Sequence, residues 1–229
     1  MNKKIFIHIP KNGGMTIRKT PEIKDKIILA GKDKHISERY TAELTKTMKM
    51  YHEHHGYEHS RWRDIHPKYT NKYDAFAIIR NPWSKVISRY TFAQWTKEIP
   101  KRTSVEEFLE QRHTYGNIPY FWHRAIKGWY QQVDYVTDID DVLQCDILRL
   151  EMFDEDVNKY FNMNITFHVR NVSNGEKINN KSKVGNQKDY RSFFNDTTKE
   201  IVADWYQKDI EFFGFAFDGP ATKNIWNKG

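Results

Sequence analysis

A lysine followed by two adjacent glycines, in Pro10-Lys11-Asn12-Gly13-Gly14, closes the mostly apolar run IFIHI at positions 5 to 9. A cation beside a backbone free to turn tightly can hold an anion, because side-chain charge and converging N–H groups act on one ligand. An ordinary turn at the start of an α/β domain fits the same letters. A second cation, Arg80, ends a second apolar run, YDAFAII at 73 to 79, and Asn81-Pro82 then leads into a stretch that reads as a helix. Proline suits a helix start, where its missing N–H is not needed. If both runs are strands of one parallel sheet, their carboxyl ends share the edge at which ligands bind. Two phosphate-like groups of one nucleotide could be held there together. Neither common phosphate signature is present: the lysine precedes the glycines instead of following them as in GxxxxGK[ST], and GxGxxG never occurs.

Between the two cations lies YHEHHGYEHSRWRDIHPKY, residues 51 to 69. Histidines exchange protons near neutral pH, so those lying between the two cations are candidate proton-transfer groups. The candidates are His59, His35, His52, His54, His55 and His66, with Glu58 and Glu53 as carboxylate alternatives; for most of them a solvated loop position is the plain reading. His52-x-His54-His55 also raises a zinc site, but no matching ligand cluster lies elsewhere in the sequence, and we expect no metal.

Elements must position these residues. KIILA at 26 to 30 reads as a second strand, residues 36 to 50 read as a helix, and DILRLE at 146 to 151 reads as a late strand before a helix at 154 to 160. Thr103-Ser104 ahead of VEEFLEQR carries a capping signature, and a last helix is expected over about 197 to 211. Residues 175 to 187 are polar, basic and rich in Asn, hence a loop. Strands alternating with helices predict a three-layer, P-loop-like α/β fold with a mainly parallel central sheet flanked by helices. One domain over 1 to 229 is expected, with elaborations around 31 to 72 and 96 to 135.

Composition narrows the classes. Of 229 residues, 37 are basic and 30 acidic, for a formal charge of +7 with both signs dispersed, which favours an anionic ligand without implying nucleic acid. Aromatic residues at 15% argue against disorder, and Trp129 and Tyr130 are expected between helices. Cys145 has no partner for a disulfide and fits a core position in a reducing compartment. With no long apolar run, a cytoplasmic protein without stable membrane insertion is expected; the oligomeric state is left open.

HIPKNGGMTI, at 8 to 17, resembles the 5′-phosphosulfate loop of sulfotransferases that use 3′-phosphoadenosine 5′-phosphosulfate (PAPS). FAIIRNPWSKVISRY, at 76 to 90, is similar to their 3′-phosphate motif, an arginine with a serine eight residues on, here Arg80 and Ser88. DILRLEMFDEDVNKYF and KDIEFFGFAF resemble tail elements of the carbohydrate branch, which includes Golgi polysaccharide sulfotransferases and bacterial and viral relatives. The resemblance implies that Lys11 reaches the bridging oxygen between phosphate and sulfate. Backbone N–H groups of Asn12, Gly13, Gly14 and Met15 would cradle the 5′-phosphate, and the Thr16 hydroxyl would add a contact. Where the family often has Thr or Ser, this chain has Asn12 and Met15, which leaves Thr16 carrying more of the side-chain contact. Arg80 and Ser88 would hold the 3′-phosphate, with Arg89 pointing elsewhere on the helix. Lys181 and Lys183, in NNKSKVGNQK, would close over the phosphates. The family keeps its base in the segment before the arginine-bearing strand, which selects His59, with His35 as rival. The implied reaction is in-line sulfuryl transfer to a hydroxyl, leaving 3′-phosphoadenosine 5′-phosphate (PAP). A carbohydrate acceptor is expected in a cleft lined by the histidine-rich loop and the 95 to 102 and 115 to 124 stretches. A small-molecule or peptide acceptor, or a nucleotide-binding relative without turnover, is the alternative; a nucleic-acid partner is not expected.

Overall fold

The apolar run at the amino end is nearly continuous because the strand it forms is buried on both sides. In the computed structural model, which describes residues 2–30, 36–51, 56–118, 121–167 and 189–227, that strand is β1, Lys4–Ile7. It is followed by α1 (Gly14–Lys19), α2 (Pro21–Lys24), β2 (Ile27–Leu29), α3 (Glu38–Tyr51) and α4 (Pro67–Thr70). Then come β3 (Ala75–Ile79), α5 (Pro82–Trp95), α6 (Val105–Leu109), α7 (Gln111–Tyr115), α8 (Phe121–Lys127) and α9 (Val133–Val136). The chain continues through β4 (Cys145–Arg149), α10 (Phe153–Phe161), α11 (Asp196–Trp205) and α12 (Gln207–Phe213).

The four strands form one sheet in the order β2-β1-β3-β4, every pair parallel. Alternation along the strands splits the core in two. Ile5, Ile7, Ala75, Ala77, Ile79 and Ile147 face one layer, against Leu44 of α3, Val86 of α5, Val133 of α9, Val202 of α11 and Phe213 of α12. Phe6, Phe76, Ile78 and Leu148 face the other, against Ile17 of α1, Ile23 of α2 and Val157 and Phe161 of α10. This is the expected three-layer α/β arrangement. Cys145, Trp129 and Tyr130 are buried in the first layer.

Because β2 lies on one side of β1 and β3 on the other, the connections diverge at the β1–β3 pair. Loops that leave adjacent strands in opposite directions open a crevice at their carboxyl ends. Lys11 follows β1 and Arg80 follows β3.

Local chemistry sets the boundaries. Pro82 is the first residue of α5, capped by Asn81, whose Oδ1 accepts from the N–H groups of Trp83 and Ser84. Ser104 caps α6 with a reciprocal Glu107 contact, as its spacing predicts. The helix expected to begin at 36 starts later, because Ile36 pairs with Ile65 in an antiparallel bridge. The last helix is two helices: Tyr206 between them is fully buried, and its hydroxyl donates to the Gly128 carbonyl at 2.7 Å. His35, His52, His54, His55, Glu53, Lys181, Lys183 and the 175 to 187 loop lie outside the described residues. No helix among the described residues is long and apolar enough to cross a membrane.

Candidate active site

Gly13 takes φ +75, a left-handed conformation that glycine adopts without steric cost. Gly14 is required for space: a Cβ there would stand 1.9 Å from His8 Cδ2 and Nε2. The sequence marks the glycine pair but not its cause, the buried His8 ring beneath the turn. Lys11 also lies in the left-handed region, at φ 67, which costs a residue with a Cβ about 1–2 kcal/mol. The turn is therefore pinned from outside. The Tyr130 hydroxyl donates to the Pro10 carbonyl at 2.6 Å, and Arg80 Nη1 donates to the Lys11 carbonyl at 3.1 Å. Asn12 is buried, and its Nδ2 donates to the Ile78 carbonyl at 2.9 Å and to Gln132 Oε1 at 2.7 Å. Its side chain thus belongs to the scaffold, leaving its backbone to the crevice.

The structure brings the two sequence-marked cations together. Besides reaching the Lys11 carbonyl, Arg80 donates from Nε to Ser84 Oγ at 2.8 Å. The serine it meets is one helical turn short of Ser88, which is buried on the same side of α5. Among the described residues no carboxylate makes an ion pair with Arg80; the nearby Glu151 instead accepts from the Asn81 N–H at 2.8 Å.

Lys11 extends its ammonium to 4.0 Å from the Phe92 ring centroid. Burial and the Arg80 and Arg89 guanidiniums lower its pKa to about 7, opposed by Glu98. Arg89, expected to point elsewhere, is thus part of this electrostatic site. It pairs with Glu98, and its Nε and Nη1 are buried without a partner among the described residues. Two guanidiniums beside one half-buried ammonium, with the Glu98 carboxylate already engaged by Arg89 and Lys127, form a site whose charge an anion would balance.

His59 ends a 3-10 turn over Tyr57–His59. The buried Asp64 holds the following turn, accepting from Arg61 Nε at 2.9 Å and, through Oδ1, from Arg61 Nη2 at 2.9 Å. Ser60 Oγ donates back to the Tyr57 carbonyl. His59 Nδ1 lies 2.8 Å from the carbonyl oxygen of His8, and the two rings are 4.4 Å apart. A carbonyl only accepts, so this contact requires the proton on Nδ1 and leaves the lone pair of a neutral ring on Nε2. His8 itself is held neutral: burial, then the charge of His59 and of Arg18, push its pKa well below the usual value. His66 is exposed, and its Nδ1 accepts from the Lys68 N–H at 3.1 Å, capping α4. Thr16 is buried in α1, with its N–H on the Gly13 carbonyl at 2.9 Å.

Sequence reasoning placed Tyr130 between helices but missed its bond to the turn, and it missed Gln132 and the carbonyl of His8. No pattern marks them, because each acts on residues far away in the chain.

A family model described as "Sulfotransferase family" matches residues 2–216. No curated protein matches the chain. The crystal structure of a sulfotransferase from Alicyclobacillus acidocaldarius is a remote likeness, with a TM-score of 0.44 and 12% identity over 92% of this chain and 94% of that one.

Proposed function

Because the chain belongs to the sulfotransferase family, we propose that it moves a sulfuryl group from PAPS to an acceptor hydroxyl on a carbohydrate or glycoconjugate. The observation that carries this reading is the meeting of Lys11 and Arg80 at adjacent strand ends, joined by the Arg80 Nη1 contact to the Lys11 carbonyl. The residues fit an anionic nucleotide: Lys11 is crowded by two guanidiniums, and two Arg89 donors have no partner among the described residues.

PAPS supplies an activated sulfuryl group whose loss leaves negative charge on the oxygen it departed from. Lys11 is the residue placed to stabilise that charge, and the backbone from Asn12 to Met15, with Thr16, holds the 5′-phosphate. Arg80 and Ser88 hold the 3′-phosphate by charge-assisted hydrogen bonds. His59, with Nδ1 committed to the His8 carbonyl, offers Nε2 to take the acceptor proton. The protein acts through charge and one proton transfer. Support for a sugar acceptor comes from Trp95, which is 61% exposed and stands 5.7 Å, ring to ring, from the Phe92 that carries the Lys11 ammonium. An indole within a polar rim suits the apolar face of a sugar whose edges are hydroxyls. Labelled PAPS offered with polysaccharides, phenols and tyrosyl peptides tests this; label on the phenols or peptides alone would overturn the carbohydrate reading.

Donor recognition is testable without an acceptor. PAP at about 100 times its Kd should raise the unfolding midpoint by about 5 °C or more through linkage. Adenosine 5′-phosphosulfate at the same concentration, lacking the group meant for Arg80, should raise it far less. Equal shifts in thermal unfolding would remove Arg80 and Ser88 from the donor site.

The depressed Lys11 pKa also sets a pH dependence. In the free protein the ammonium loses its proton as pH rises through about 7. A bound anion favours the charged form and raises that pKa. PAP affinity is therefore greatest below 7 and falls towards pH 9, a range in which the nucleotide phosphates, with second pKa ~6, no longer change charge. Calorimetry in buffers of different ionisation enthalpy should show proton uptake on binding near pH 8. Uptake that persists in Lys11→Met would assign the proton to another group.

A further inference from the structure

Gln132 is fully buried at the start of α9, and the transfer chemistry gives it no task. Its amide uses its whole bonding capacity. Oε1 accepts from Asn12 Nδ2 at 2.7 Å and from the Arg80 backbone N–H at 2.9 Å. Nε2 donates to the Arg80 carbonyl at 2.8 Å and to Asp209 Oδ2 at 3.3 Å. Arg80 fixes the orientation, since its N–H needs the amide oxygen and its carbonyl needs the amide nitrogen. Asp209, on α12, also accepts from the Val133 N–H at 2.9 Å, so the amide is anchored to two helices. One side chain thereby grips the backbone of the second cation and the residue next to the first, while Arg80 Nη1 on the Lys11 carbonyl closes the circuit.

We propose that Gln132 is a positioning residue that couples the two phosphate-binding loops, so that the 5′- and 3′-phosphates of one nucleotide bind cooperatively. The inference rests on the nucleotide reading above. A fully satisfied buried amide holds both loops in one arrangement, and a phosphate that orders one loop through it orders the other. Coupling of this kind is reciprocal: the 3′-phosphate must help the 5′-phosphate as much as the reverse.

The test is calorimetric titration of the wild type, Gln132→Met and Asn12→Ala with PAP, adenosine 5′-phosphate, adenosine 3′-phosphate and adenosine, the weak ligands by competition. The coupling factor is the product of the two monophosphate Kd values divided by the product of those for PAP and adenosine. The advantage of joining two phosphates in one molecule is the same for every variant and cancels between them. Gln132→Met, close in size and without the amide, should lower the factor at least tenfold. Asn12→Ala, which removes one of the four bonds and leaves the grip on Arg80, should lower it less, and it keeps the test alive if Gln132→Met does not fold. A fall in thermal stability and in every affinity with the factor unchanged would make Gln132 purely structural and overturn the coupling. If the wild type binds PAP no better than the monophosphates, the nucleotide reading falls and the coupling with it; if it prefers PAP and the variants keep the wild-type factor, the coupling alone falls.

Discussion

Lys11→Ala should lower the rate constant for transfer by at least about 100-fold, while PAP affinity falls by no more than about tenfold. The asymmetry follows from when the charge appears. Removing one preorganised donor from developing negative charge typically costs about 10²–10³ in rate, because the interaction strengthens on the way to the transition state. In the proposed site, ground-state binding would be shared with Arg80 and the loop backbone, so the loss of one cation should be partly covered. The free ammonium is also partly deprotonated at neutral pH, with a pKa of about 7, so it contributes less to the resting complex than a fully charged lysine would. Single-turnover rates at saturating PAPS, beside PAP Kd values, separate the two effects. A variant that turns over near the parental rate would take Lys11 out of the chemistry.

His59→Ala should retain fold and PAP binding and lose about 10²–10⁴ in turnover, the usual worth of a positioned base. The parental kcat/KM should be bell-shaped in pH. It rises as the base loses its proton and falls as Lys11, whose pKa in the free protein is about 7, loses its own. His59→Ala should flatten the rising limb and keep the falling one. A variant that merely loosened the turn would shift Tm and leave both limbs in place. His35→Ala, measured alongside, decides between the two histidines; if it is the dead variant and His59→Ala the live one, the base moves to His35.

Both cations were legible because each sits in a local pattern: an apolar strand, a turn residue, then a helix start. The histidine segment was legible as polar chemistry, but its geometry was not, since His59 is aimed by the carbonyl of His8, 51 positions earlier. Gln132 was invisible for the same reason, reaching Asn12 across 120 positions. The sequence expectation set Arg89 aside because a helical step turns it away from Ser88. Its long side chain nonetheless brings its charge to bear on Lys11, which a helical wheel does not show. The break at Tyr206 was missed because periodicity runs through it, and only the buried hydroxyl contact to Gly128 requires it.

The His8 ring fills the space that a side chain at Gly14 would need, and the carbonyl of the same residue holds His59. Positions 8, 14 and 59 therefore form an epistatic unit. A larger residue at 14 is tolerated only with a smaller one at 8, and any backbone shift that follows at 8 re-aims the ring at 59. Substitutions in this trio should be non-additive, so a variant that rebuilds the Gly13-Gly14 turn would inherit a displaced His59 ring unless all three positions change together.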